Sequence, residues 1–142
     1  NQYESYLNTI RAEAVKLFKD SKVDEAISII QNEIIFKKAA NHIDYGLLGN
    51  FYLFSKQFAK AEDNINKAIV LDKNDLTHQL QLAHVYLFTD RVSESKDIHD
   101  QYKTQNIASN TSWVNQTKSD FSEFEKKGFP VNNFKKILRI IE

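Results

Sequence analysis

The sequence predicts an all-α fold of about eight helices arranged as antiparallel pairs. Three observations carry that prediction. Turn residues are scarce, with 3 Gly and 1 Pro in 142 residues, whereas a sheet protein needs them roughly every ten positions. Apolar residues recur at helical spacing, as in Phe134, Ile137, Leu138 and Ile141. A pattern of small and apolar residues also returns at an interval of about 34 residues, the mark of a helical repeat.

The elements follow in chain order. A first helix spans about 2–19 and stops at the polar run Asp20-Ser21-Lys22. A second covers about 23–39, opened by Val23 and carrying Ala26 and Ile30 on one face. Helices near 42–55 and 58–71 are separated by Ser55-Lys56-Gln57. Asp72-Lys73-Asn74-Asp75 then breaks the chain, and Asp75 is placed to cap a helix over about 76–89. Thr89-Asp90-Arg91 precedes a helix over about 92–104, and the polar stretch Thr104 to Asn110 reads as the longest linker. Asn110 or Thr111 is placed to cap a helix over about 111–127, whose apolar stripe is Trp113, Phe121 and Phe124. At Gly128-Phe129-Pro130 the glycine ends one helix and the proline stands near the start of the last, at about 131–141.

The repeat is clearest where Tyr45, Leu48-Gly49 and Tyr52 are followed by Ala61 and Ile65. One interval later stand Gln79, Leu82-Ala83, Tyr86, Ser95 and His99. One interval earlier, lengthened by a residue, stand Ile10, Ala14, Leu17, Ala26 and Ile30. This spacing resembles the tetratricopeptide repeat, in which an aromatic residue, Leu-Gly and Tyr precede Ala and an apolar residue. The resemblance implies one domain, 1–142, with repeats at about 7–40, 42–75 and 76–109. It further implies a right-handed superhelix of antiparallel helix pairs, a tetratricopeptide-like α-solenoid. The closing proline of the repeat is replaced, with Lys73 near its place. Trp113 opens a fourth interval, but Gln116, Thr117 and Asp120 then replace Leu, Gly and Tyr. The pair over 110–142 therefore reads as a terminal cap, which a solenoid requires to cover its exposed end. Small residues at Ala14, Gly49 and Ala83, and at Ala26, Ala61 and Ser95, let the two helices of each pair approach closely.

Composition removes several function classes. Cys is 0, which excludes a disulfide scaffold, thiolate metal ligands and a cysteine nucleophile. The 19 basic residues balance 19 acidic ones, so no excess charge draws the chain to nucleic acid. No apolar run approaches the roughly 18 residues of a membrane span. Met is 0, which points to a cut or processed chain with sequence upstream. The compartment stays open, cytoplasm or, after removal of a signal, periplasm. The histidines, His42, His78, His84 and His99, include no pair at helical i, i+3 or i, i+4 spacing. No phosphate-binding glycine loop or strained serine elbow occurs. The expectation is a protein without enzymatic activity, cofactor or resident metal.

What remains is binding. The resemblance implies that the first helices of successive repeats line a concave groove. Its candidate residues are Arg11 and Phe18, then Asn50, Leu53 and Phe54, then His84, Leu87 and Phe88, with Lys118 on the fourth such helix. Apolar anchors beside a few amides and cations suit a peptide or partner surface, where a handful of side chains carries most of the energy. Lys118 and Arg11 would supply charge, and Phe54 and Phe88 recur at one repeat length. The other functional classes are a self-associating scaffold and an accessory domain of a larger enzyme. The cations Lys126, Lys127, Lys135, Lys136 and Arg139 around the last pair allow a further role, a basic helix docking on a membrane or partner.

Overall fold

A computed structural model describes residues 1–142. It has eight helices: α1 Gln2–Lys19, α2 Val23–Ile30, α3 His42–Phe54, α4 Phe58–Leu71, α5 Leu76–Phe88, α6 Val92–Tyr102, α7 Trp113–Lys126 and α8 Phe134–Ile141. A two-stranded ladder joins β1 Asn106–Ala108 to β2 Thr111–Ser112. The fold is thus all-helical apart from that ladder. No helix is long and apolar enough to cross a membrane. The chain divides into two compact units, Asn1–Lys73 and Asn74–Glu142. Their boundary falls in the polar turn between the second and third hairpins.

Three helix-to-helix turns are built alike. Each holds one residue in the left-handed region: Ser21 at φ 63°, Lys56 at φ 61° and Asp90 at φ 61°. Each is closed by a long backbone bond over the turn, Lys22 N to Leu17 O, Gln57 N to Tyr52 O and Arg91 N to Tyr86 O, at 2.8, 2.9 and 2.9 Å. This is the bonding of a Schellman motif, which satisfies carbonyls that the ending helix leaves without partners. A polar residue rather than glycine occupies the left-handed site in all three, so bonds and packing must offset roughly 1–2 kcal/mol of steric cost at each. The next helix starts at once, with Val23, Phe58 and Val92 as its first residues.

Small residues set the closeness of each pair. Ala14, Ala26, Ala61, Ala83 and Ser95 are fully buried, and Gly49 is buried on α3. A Cβ at Gly49 would lie 2.4 Å from Cγ1 of Ile65 on α4, inside contact distance. Ser95 keeps its hydroxyl satisfied by donating to the Ala83 carbonyl at 2.8 Å across the α5–α6 seam. Gly49→Ala therefore overpacks the α3–α4 seam. The better helix propensity of alanine offsets about 1 kcal/mol at most. Overpacking costs about 1–3 kcal/mol. A net fall in the urea midpoint is expected, and an unchanged or raised midpoint would show that the seam can open without cost.

The last helix starts at Phe134 rather than near 131, and two other elements differ from expectation in kind. The second helix does not run regularly to 39. Beyond Ile30 it continues as a π-helical turn, Gln31–Ile35, with Phe36 N bonded to Gln31 O at 2.9 Å. A π turn takes one more residue than an α turn. That matches the spacing of the repeated turns, since 35 residues separate Ser21 from Lys56 and 34 separate Lys56 from Asp90. The Thr104 to Asn110 stretch is not an open linker. Asn106 pairs with Ser112 and Ala108 with Thr111, around the tip Ser109-Asn110. The cap of α7 is accordingly Ser112, which accepts from Asn115 N at 3.0 Å, and neither Asn110 nor Thr111. Asp75 caps α5 as expected, accepting from Thr77 N at 3.0 Å. Gly128, at φ 80°, ends α7 as expected, with Phe129 N bonded to Phe124 O at 2.9 Å.

Candidate functional site

In the unit Asn1–Lys73, the sequence-selected side chains separate by burial. Arg11 lies in the interior of α1, where Nε donates to Asp44 Oδ1 at 2.7 Å and Nη2 to Oδ2 at 2.9 Å. Its Nη1 donates to Asn8 Oδ1 at 2.9 Å. The bond to Asp44 raises the guanidinium above its ordinary range, so the charge is permanent. Both prongs of the fork are engaged, and Arg11 is not an open cation for a ligand. Leu53 is fully buried and belongs to the core. Phe18, Asn50 and Phe54 are only half-buried. The ring of Phe18 stacks on Phe51 at 5.1 Å and meets Phe54 edge-on at 5.3 Å. Phe18 and Phe54 thus form one aromatic edge shared by α1 and α3, with Asn50 one helical turn before Phe54.

In the unit Asn74–Glu142, two of the candidates are buried, Phe88 is half-buried and Lys118 is exposed. His84 and Leu87 are buried. Phe88 sits against Phe124 and Phe129 at 4.9 Å each, and against Phe134 at 6.2 Å. Phe121 stacks on Phe134 at 4.1 Å. These rings join α5 to α7, α8 and the segment between them, so Phe88 is a packing residue rather than a free anchor. Lys118 is exposed on α7 and pairs with Glu142 beyond α8. The apolar face of α8, Phe134, Ile137 and Ile141, is covered. The apolar residues of the last pair are turned inward, and its cations Lys135, Lys136 and Arg139 lie exposed.

A buried polar cluster links α5, α6 and α7. His84 Nε2 lies 2.8 Å from Asp120 Oδ2, and Gln116 Nε2 donates to the other carboxylate oxygen at 2.9 Å. His99, on α6, accepts at Nδ1 from the indole N–H of Trp113 at 3.0 Å. The two imidazoles stand 6.3 Å apart, centroid to centroid. Burial, and then the neighbouring His84, lower the His99 pKa from 6.5 to about 3. The proton of neutral His99 must sit on Nε2, because Nδ1 is an acceptor. Neither His84 Nδ1 nor His99 Nε2 has a hydrogen-bond partner.

Sequence reasoning missed Asp44, Asp120, Gln116 and the Trp113–His99 bond. One signal was legible. Asn41 lies three residues before Asp44 and just ahead of an apolar run, the spacing of a capping box. The structure forms that box, Asn41 accepting from Ile43 N at 2.9 Å and Asp44 accepting from Asn41 N at 2.9 Å. The long-range bonds had no sequence signal, since their partners are 33, 36 and 14 residues apart. Comparison with protein-family models, with curated proteins and with solved structures finds no match to this chain.

Proposed function

We propose that the chain is a protein-interaction module of tetratricopeptide-like helical hairpins, without catalytic activity, that takes a peptide or partner surface on the first helices of its hairpins. One observation supports this reading above the others: three hairpin turns, 35 and 34 residues apart, share one geometry, a left-handed polar residue (Ser21, Lys56, Asp90) followed by the same closing bond. A recurring hairpin presents equivalent first-helix positions again and again, which is how repeat proteins build extended binding faces. Within the first unit those positions offer Phe18 and Phe54 as apolar anchors and Asn50 as a two-way hydrogen-bonding amide. Arg11, Leu53, His84 and Leu87 are buried and serve the fold, and Phe88 is engaged by the rings of Phe124, Phe129 and Phe134, which narrows the binding set that the sequence suggests.

The test uses Phe54→Glu in the full chain. The ring is half-buried at a helix end, so the variant is expected to keep its helicity. Immobilised wild type and variant are exposed to source-cell lysate, and a protein held only by wild type is purified and titrated by calorimetry. Loss of an anchor of at least 2 kcal/mol corresponds to an affinity drop of roughly 30-fold. Equal affinity for the folded variant would sink the assignment. A second reading, self-association, has its own observation: Val70 and Leu71 stand exposed on α4 beside Tyr45. Sedimentation at rising concentration separates the two.

A further inference from the structure

Beyond partner binding, we infer that the imidazole of His99 and the indole of Trp113 form an acid-labile latch that holds α7 against the α5–α6 hairpin. The argument begins with the bond itself. Trp113 Nε1 has a hydrogen to donate and nothing else, so its bond to His99 Nδ1 at 3.0 Å requires a bare lone pair on that nitrogen. A protonated imidazole carries hydrogens on both nitrogens. Two donors would then face each other at hydrogen-bond distance, and the contact must break.

The surroundings offer the charged form no shelter. His99 and Trp113 are both 0% exposed. From α5, the titratable group facing His99 is His84, whose electrostatic influence further disfavours a positive charge on His99. On α7 the carboxylate of the polar cluster is Asp120, already engaged by His84 and Gln116. Thr117 is buried there too, but its hydroxyl donates to the Trp113 carbonyl at 2.8 Å. On α6 itself Tyr102 packs its ring 5.4 Å from the indole, and Ser95 is bonded to Ala83. Helix α8 comes close to α6 with buried Ile137 and Ile141, while its cations Lys135, Lys136 and Arg139 point into solvent. The β1–β2 ladder brings no titratable side chain.

The sign follows. In the open form His99 returns to its ordinary pKa of 6.5 and binds a proton below it, while in the closed form it stays neutral down to about 3. Closure is fully favoured above pH 6.5 and weakens as pH falls from there toward 3. Between pH 7 and pH 5 the open-to-closed ratio should rise about 25-fold from this one group. Opening bares Phe121 and Phe124, so the consequence of acid is exposure of an aromatic face.

Trp113 is the only tryptophan, so its fluorescence reads the latch directly. The experiment compares wild type with His99→Asn, whose amide oxygen keeps an acceptor near the Nδ1 position and does not titrate. Wild-type indole emission is expected to shift toward the solvent-exposed spectrum as pH falls from 7 to 4, with a much weaker response in the variant. Hydrogen exchange of wild type, corrected for intrinsic rates, supplies the second measurement and does not depend on the variant folding. Amides of α7 should open about 25-fold more often at pH 5 than at pH 7, while those of α3 and α4 change far less. The same pH response in wild type and in folded His99→Asn would overturn the latch. Equal acid sensitivity in α7 and in α3–α4 would overturn it as well, because the event would then be global unfolding.

Discussion

Trp113→Ala is expected to cost about 3–5 kcal/mol, the range for removing a large aromatic side chain from a core. The indole is fully buried, stands edge-on to His99 at 5.5 Å and packs on Tyr102 at 5.4 Å. Alanine leaves a cavity and also strips His99 of the donor that its Nδ1 accepts from. A unit of about 70 residues has a total stability of roughly 4–10 kcal/mol, so the loss is a large share of what holds the second unit together. Trp113→Phe separates the two contributions. It keeps most of the ring volume, loses the hydrogen bond and leaves only a small cavity, so its cost of about 1–3 kcal/mol should lie well below that of alanine. Urea unfolding followed by ellipticity checks both. A midpoint for Trp113→Ala equal to wild type would mean that α7 does not depend on its first residue, and the cap account would fail.

The contrast between these residues and the rest of the chain shows what a sequence makes legible. Helix limits were readable because they rest on local chemistry. Polar turn residues, Gly128 before Pro130 and apolar periodicity all act within a few positions of one another. The expected and observed ranges for α1 and α4 coincide, and α3 and α5 differ by one residue at their ends. The small residues at Gly49, Ala61, Ala83 and Ser95 were equally readable, because helices that approach closely leave no room for anything else. The candidate site was harder. A first-helix face carries side chains in all directions, and periodicity alone does not say which of them a neighbour covers. Leu53 and Phe54 are adjacent in sequence, yet one is fully buried and the other half-exposed. Its first-helix position marks Arg11 as a groove-facing cation. Its partner, Asp44, lies 33 residues away and was itself hidden in a helix start. Phe88 was read as an anchor by its repeat position, whereas its ring neighbours Phe124, Phe129 and Phe134 come from a segment outside the repeat pattern.

Arg11 and Asp44 make the second large prediction. Asp44→Ala is expected to destabilise by about 3–5 kcal/mol, because it leaves a buried guanidinium without its carboxylate. It also removes the capping-box bond to Asn41 N, worth about 1 kcal/mol more. The two contributions can be separated by what replaces the carboxylate. Asp44→Asn keeps an acceptor for the cap and one bond to Arg11 but no charge, so it should fall between wild type and Asp44→Ala. Arg11→Met removes the charge from the other side, leaves the cap intact and leaves the buried carboxylate without its cation. The double variant Arg11→Met/Asp44→Leu strands nothing. Buried ion pairs replaced as a whole by apolar residues of similar size are often nearly neutral, whereas breaking them from one side is costly. The double variant should therefore be clearly more stable than Asp44→Ala, with its remaining deficit close to the cap term. A double-mutant cycle on urea midpoints measures this. Strict additivity of the two single changes would mean that Arg11 and Asp44 do not act as a pair. The pair would then have no claim to hold α1 against α3, the two helices that together present Phe18 and Phe54.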